Sequence, residues 1–324
     1  MIFLGIAVVS GEVKTAKYGG AFLETGVDAR ILSMGGAGAS ISGSVSSVFW
    51  NPAGLVFLEN YKIHGMHSER FSGMVNWDFI GIGSNIDSTT FFGGGFFRMG
   101  VDGIPVTRLL NPDIDLGDYY YDESGNLKQN VPQIEKMVND VEYALFLSIA
   151  KIINNRFYIG STVKIIRKMF DANGAWGMGF DAGLMYRAAE RINIGLTVHD
   201  ITTTIVAWNT GTKERILPSL RAGVSYYYKK SKVSFLPVFE IGTSFDVNNS
   251  SSVLISDKAS VDLIAGLEIS YSDRLFFRAG MFRKRMTLGA GFRVSKLNID
   301  YGFSSNNDLG NTHRLSLEYG LGRN

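Results

Sequence analysis

Residues 177–187 read GMGFDAGLMYR and residues 191–200 read RINIGLTVHD. In the first, Met178, Phe180, Ala182, Leu184 and Tyr186 share one side of an extended chain, with Gly179, Asp181, Gly183 and Met185 opposite. In the second, Ile192, Ile194, Leu196 and Val198 alternate with Asn193, Gly195, Thr197 and His199. Apolar residues recurring at every second position define β-strands. A soluble sandwich would bury the apolar side and present Lys, Glu and Thr to water. Here the opposite side is rich in glycine, which a solvated face has little reason to carry. Glycine suits the crowded inner surface of a tightly curved, closed sheet. Apolar residues outward with Gly and polar residues inward is the pattern of a membrane barrel.

The pattern recurs in LRAGVSY (220–226), VDLIAGLEI (261–269), LGAGFRV (288–294), LNIDYGF (297–303) and LSLEY (315–319). Across these segments one side is aliphatic, Met, Ala or aromatic and never charged. The other is Gly or polar except at Met185 and Ile264. The whole chain predicts fourteen strands, starting near residues 61, 74, 89, 142, 156, 177, 191, 219, 233, 261, 275, 286, 297 and 311. Short connections (83–88, 154–155, 189–190, 229–232, 272–274, 295–296) alternate with mostly longer ones (100–141, 170–176, 201–218, 246–260, 305–310), 283–285 being the exception. That alternation places short turns on one rim and long loops on the other, with both termini on the short-turn, periplasmic side of a bacterial outer membrane. Tyr186, Tyr226, Tyr228, Tyr271 and Tyr319 lie near strand ends, where an aromatic girdle belongs. An even strand count closes the sheet and removes its edges.

Composition agrees. The 324 residues include 38 Gly, 14 Tyr and 22 Phe but only 6 Pro, and 32 Lys+Arg balance 30 Asp+Glu. No basic field recruits nucleic acid. With no cysteine, disulfides, thiolate metal sites and a Cys nucleophile are excluded. Ile2–Val9, IFLGIAVV, has the look of the end of a secretory signal peptide, although no Lys or Arg precedes it. The expected organisation is an incomplete signal peptide over 1–17, a hatch or plug over 18–60 and a barrel over 61–324.

Residues 18–60 have neither a clean period of two nor a full amphipathic helix. Gly35, Gly36 and Gly38 let the chain thread a crowded lumen. Phe22, Leu23, Phe49, Trp50 and Leu55 offer apolar anchors. In VSSVFWNPAGL (45–55), Pro52 pushes Asn51 out of the helical region, and the Asn51 side chain can bond neighbouring backbone. An NPA turn (Asn51, Pro52, Ala53) after a run of small residues resembles the hatch of FadL-like outer-membrane barrels. More closely, Ala21–Arg30, Met34–Ala37 and Trp50–Leu55 resemble three linked motifs of the PorV/PorQ family, with looser likeness at 104–107 and 195–201. The resemblance implies an accessory role in protein export of the type IX secretion kind, with exported proteins or secretion components as partners. The alternatives are a FadL-like channel for hydrophobic small molecules held in the lumen, or a plugged structural barrel.

Other chemistry finds little support. His64 and His67 are three apart and face opposite ways on a strand, so they cannot share a metal ion. MGGAGAS (34–40) and GGGFFRMG (93–100) lack a phosphate loop's Gly-Lys-Ser/Thr ending, and no G-x-S-x-G elbow is present. Asp122–Asn126, DESGN, reads as a turn. Asp181, Arg221, Asp262, Glu268, Arg278, Arg293, Asp300, Arg314 and Glu318 all fall on the inward side, spread over many strands. They read as a lumenal ion-pair network rather than catalytic groups. No enzyme activity and no cofactor are expected.

Overall fold

The computed structural model describes residues 15–16, 19–70, 73–245, 254–255, 259–283, 285–305 and 310–321. The reading of residues 1–17 as a signal peptide lies outside them, apart from Thr15–Ala16. Fourteen antiparallel strands form the barrel: β1 (Tyr61–Arg70), β2 (Val75–Asn85), β3 (Thr90–Leu109), β4 (Pro132–Ile152), β5 (Phe157–Phe170), β6 (Asn173–Ala189), β7 (Ile192–His199), β8 (Ser219–Tyr226), β9 (Val233–Ser244), β10 (Ser260–Tyr271), β11 (Leu275–Phe282), β12 (Arg285–Val294), β13 (Leu297–Ser304) and β14 (Thr312–Leu321). Each pairs with the next, and β14 returns to β1 from Tyr61↔Leu321 to Glu69↔His313. Closure satisfies the backbone groups that an open edge would leave bare in lipid. Among the described residues no helix is long and apolar enough to cross a membrane.

The faces follow the period of two. Met178, Phe180, Ile194 and Leu196 point outward and are exposed, whereas Asp181, Met185 and Thr197 are buried inside. His64 is buried and His67, on the other face, is exposed and bonded to Asp78. Tyr61, Phe157, Tyr186, Tyr226, Tyr271 and Tyr319 ring the short-turn rim. Phe157 stacks on Tyr186, and Tyr226 on Tyr228.

The wall is uneven. β11 to β14 have 8 to 10 residues, but β3 has 20 and β4 has 21. The expected long loop 100–141 is therefore mostly ladder. It continues to Leu109↔Pro132 through irregularities after Val101 and Val106. Beyond the lumen and the membrane both faces meet water, so the alternation fades while the strands persist. The hairpin tip, Tyr119–Tyr121 with Leu127–Gln129, turns at DESGN. There Asp122 accepts from the backbone N–H of Ser124 and Asn126 and pairs with Lys128. Lys128 and these N–H donors hold the Asp122 carboxyl well below its ordinary range. Likewise 170–176 shrinks to a turn at Asp171-Ala172. Loop 201–218 contains a hairpin, Thr204–Trp208 and Lys213–Ile216, that extends the sheet from the outer end of β6. Thr15–Ala16 pair in parallel with its Lys213–Glu214, so the N-terminal segment enters the lumen from the long-loop rim and not from the short-turn rim expected for both termini.

Candidate functional site

The lumen is occupied by residues 19–58, and the WNPAGL turn shows how. Asn51 is extended at φ −159°, as a residue preceding proline should be, and Pro52 starts a 3-10 helix over Pro52–Phe57. The Asn51 Oδ1 accepts from the Ala53 N–H at 3.1 Å. Its Nδ2 donates to the Ala39 carbonyl at 2.6 Å and to the Leu184 carbonyl of β6 at 3.2 Å. One side chain thus closes the turn, joins it to the preceding loop and ties both to the wall. Inward glycines make this approach possible: a Cβ at Gly183 would overlap the Asn51 side chain, and one at Gly195 the Ala39 carbonyl. Trp50 donates its indole N–H to the Val27 carbonyl at 2.9 Å.

A second anchor is α1 (Ala29–Ser33), whose N-cap Asp28 accepts from the Arg30 N–H at 2.9 Å. Gly35 and Gly36 follow with φ of 74° and 80°, the left-handed region that favours glycine. The Gly36 N–H bonds back to Ile31, and Gly35 donates to Thr287 Oγ1 at 3.0 Å. α1 lies against β11 to β14, while Pro52–Phe57 lies against β2 to β6.

The segment consequently meets two different walls. Toward β2 to β5 the contact is mainly apolar, interrupted by a 3.3 Å bond from Thr162 Oγ1 to the Val48 carbonyl and, at its outer end, by Lys168 over the Phe22 ring. Phe22, Val48, Trp50 and Leu55 share one buried cluster with Trp77, Phe79, Phe97, Phe146 and Ile166. The Phe22 and Phe97 rings lie 6.0 Å apart, and Phe49 meets Phe146 edge-on at 5.6 Å. Toward β8 to β14 the contact is charged. Arg278 bridges Glu268 (2.6 Å) and Asp300 (2.7 Å), and Arg30 of the segment adds two 2.8 Å bonds to Glu268. Burial opposes the Arg30 charge, but Glu268 outweighs it and holds the guanidinium above its ordinary pKa. Glu318 accepts from Ser44 Oγ at 2.6 Å, the Val45 N–H at 3.2 Å and Lys62 at 3.0 Å, with His64 3.5 Å away. Glu240 accepts from the Ala39 N–H at 2.8 Å and pairs with Arg221, which donates to the Gly36 carbonyl and lies over Trp50. A polar cavity of about 310 Å³ lies on this side, bounded by Arg30, Lys62, His64, Glu268, Asp300 and Glu318 among others.

Of the other inward charges read from sequence, Asp181 pairs with Lys164 (3.0 Å) and Asp262 with Arg283 (2.7 Å). Arg293 and Arg314 keep the inward register but, among the described residues, join no ion pair of the network, although Arg293 lines the polar cavity. Arg293 is exposed and bonds Asn298, and Arg314 bonds Ser304 at 3.0 Å. Sequence reasoning missed Glu240, Lys164, Arg30, and the buried group of Lys168 with Glu142 and Glu214. Extending the period of two through VFEIG (238–242) would have placed Glu240 inward. Arg30 had no such signal, because an irregular segment has no parity.

These features define a transmembrane β-barrel whose lumen is filled by its own N-terminal segment. No protein-family model and no curated protein sequence matches the chain. Solved structures do. The Ralstonia pickettii toluene transporter TbuX is 11% identical, with a TM-score of 0.58 over 92% of this chain and 99% of that one. The Pseudomonas putida toluene transporter TodX is 11% identical, with a TM-score of 0.56 over 95% of this chain and 98% of its own. A Pseudomonas aeruginosa FadL homologue is 12% identical, with a TM-score of 0.53 over 90% and 98%. At such identities the likeness is one of fold. The chain has the FadL-like outer-membrane barrel fold.

Proposed function

We propose that the barrel admits hydrophobic small molecules across the bacterial outer membrane, with its short-turn rim toward the periplasm and residues 19–58 as its hatch. The observation that carries this reading is the division of the filled lumen. An apolar seam packs the hatch against β2 to β5 through Phe22, Val48 and Leu55, a surface that an uncharged solute can replace, whereas the opposite side is tied by ion pairs and hydrogen bonds at named atoms. Barrels of the same fold include two toluene transporters and a FadL homologue. The export role implied by the PorV/PorQ resemblance rests on the three N-terminal motifs and draws no support from these structures.

Native mass spectrometry of protein extracted gently from its own membrane tests the choice. A retained fatty acid or aromatic hydrocarbon is the expected result. Co-extraction of a secreted protein without any such molecule would overturn the reading in favour of export, and an empty, partnerless barrel would overturn it in favour of a structural role.

A further inference from the structure

On the outside of the wall, β5 and β6 carry two telling cross-strand pairs. Phe157 opposes Tyr186 near the short-turn rim, their rings stacked at 4.6 Å. Farther along, Arg167 opposes Trp176, the guanidinium 4.8 Å from the centre of the indole ring. The two pairs are separated by 10 residues on either strand (167 − 157 and 186 − 176). At about 3.3 Å per residue and a tilt of about 40°, that is a climb of about 25 Å, the height of a barrel's apolar band. Arg167 and Trp176 therefore stand at the opposite membrane–water interface.

The register extends this row. Trp176 opposes Ala207, which opposes Lys213; one step toward the membrane, Met178 opposes Ile205, which opposes Arg215. Ile205, Ala207, Lys213 and Arg215 are all exposed. Arg167, Lys213 and Arg215 thus share one outward face across four adjacent strands. Among the described residues none of the three has a carboxylate within ion-pair distance. The nearby acids are engaged elsewhere: Asp171 with Lys136, and Glu214 inside with Lys168 and Trp208. Beside the Arg167–Trp176 pair opens a cleft of about 480 Å³, lined among others by Met169, Asp171, Asn173 and Asn209.

We propose that this face is a binding site for the phosphate-bearing headgroup of an outer-leaflet lipid. Cations on a barrel's outer surface are tolerated near an interface and costly deeper. Three of them together, unneutralised and just above an apolar row, match an anion whose acyl chains continue downward over Ile165, Met178 and Ile205. Arg offers a planar fork to phosphate oxygens, and Lys a point charge. The inference rests on the barrel standing in the outer membrane with its long-loop rim outward, and it is independent of the cargo.

The test uses the full-length barrel in phosphatidylcholine nanodiscs doped with lipid A, either phosphorylated or enzymatically dephosphorylated. Lipid retained through detergent exchange is counted by native mass spectrometry. The phosphorylated form should be retained at least tenfold over the dephosphorylated one. The combined variant Arg167→Gln, Lys213→Gln, Arg215→Gln should lose that preference while remaining a heat-modifiable barrel. Millimolar inorganic phosphate should displace little of the lipid. Equal retention of the two lipid forms by the unaltered barrel would overturn the proposal without relying on any variant. An unchanged preference in the combined variant would also overturn it, as would ready displacement by inorganic phosphate, which would mark a free-anion site. None of these outcomes bears on hydrophobic uptake, whose test reads the lumen.

Discussion

Against β2 to β5 the N-terminal segment rests on Trp77, Phe79, Phe97, Phe146 and Ile166 without a directional bond among those side chains. Against β8 to β14 it is tied at named atoms: Arg30 to Glu268, Ser44 and Val45 to Glu318, and Ala39 to Glu240. The two sides respond differently to disturbance. Apolar contact is roughly proportional to area and indifferent to small slides, so it can part around a solute that replaces the lost surface. A buried ion pair gains little net stability over apolar packing but costs heavily when one partner is lost, so it specifies position. The charged side sets where the segment sits, and the apolar side is where it can yield.

The largest effect should come from removing the segment. Without residues 19–58 every barrel strand keeps its ladder partners, so the barrel should still insert, and in a planar bilayer it should conduct continuously where the full chain does not. A full-length barrel conducting as freely would mean the lumen is not sealed. A deletion that cannot insert would make the segment part of the folding core and abolish the distinction between wall and hatch.

Next come single changes that set the two sides against each other. Phe146→Ala empties a fully buried site and should cost about 3–5 kcal/mol. Glu240→Gln strands Arg221 without its carboxylate and should also cost about 3–5 kcal/mol. Both are read as loss of heat resistance in the shift from folded to unfolded mobility. Toluene separates them. It should restore part of the Phe146→Ala loss by filling an apolar cavity, as small aromatics do in such cavities. It should leave Glu240→Gln unimproved, whereas adding Arg221→Met to that variant should recover stability. Toluene rescue of the Glu240 variant would show that the two sides are not distinct.

How much of this the sequence disclosed depends on what kind of regularity each part has. A period of two reports which face a residue occupies, and it placed Asp181, Glu268, Arg278 and Glu318 inward because their strands stay between lipid and lumen throughout. It carries no information on height or partner, which is why Arg314 shares the parity of the network yet bonds Ser304 outside it, and Arg293 lines the polar cavity but bonds Asn298 and no carboxylate. It fails where both faces meet water, so the outer halves of β3 and β4 read as loop. Asn51's extended conformation was legible because proline constrains its predecessor locally. Its bond to Leu184, 133 residues away, was not, since only the closed barrel brings them together.

The smallest and most informative change is at Asn51 itself. Its side chain is fully buried and joins three parts: the turn through Ala53, the loop through Ala39, whose own N–H is held by Glu240, and the wall through Leu184. Asn51→Ala leaves those backbone groups unsatisfied and should cost about 1–3 kcal/mol. Pro52 still pre-sets the turn and the apolar anchors are untouched, so the segment should stay in the lumen. What is lost is the link by which the charged side holds the yielding side in place. Planar-bilayer recordings should therefore show brief openings, rare in the unaltered barrel, rather than the standing conductance of the deletion. Asn51→Asp sharpens the point. It keeps the acceptor for the Ala53 N–H but turns a carboxylate oxygen toward two carbonyls, so openings should be more frequent than in Asn51→Ala. If Asn51→Asp instead behaves like the unaltered barrel, the Nδ2 bonds do no coupling, and the two sides of the lumen are joined elsewhere.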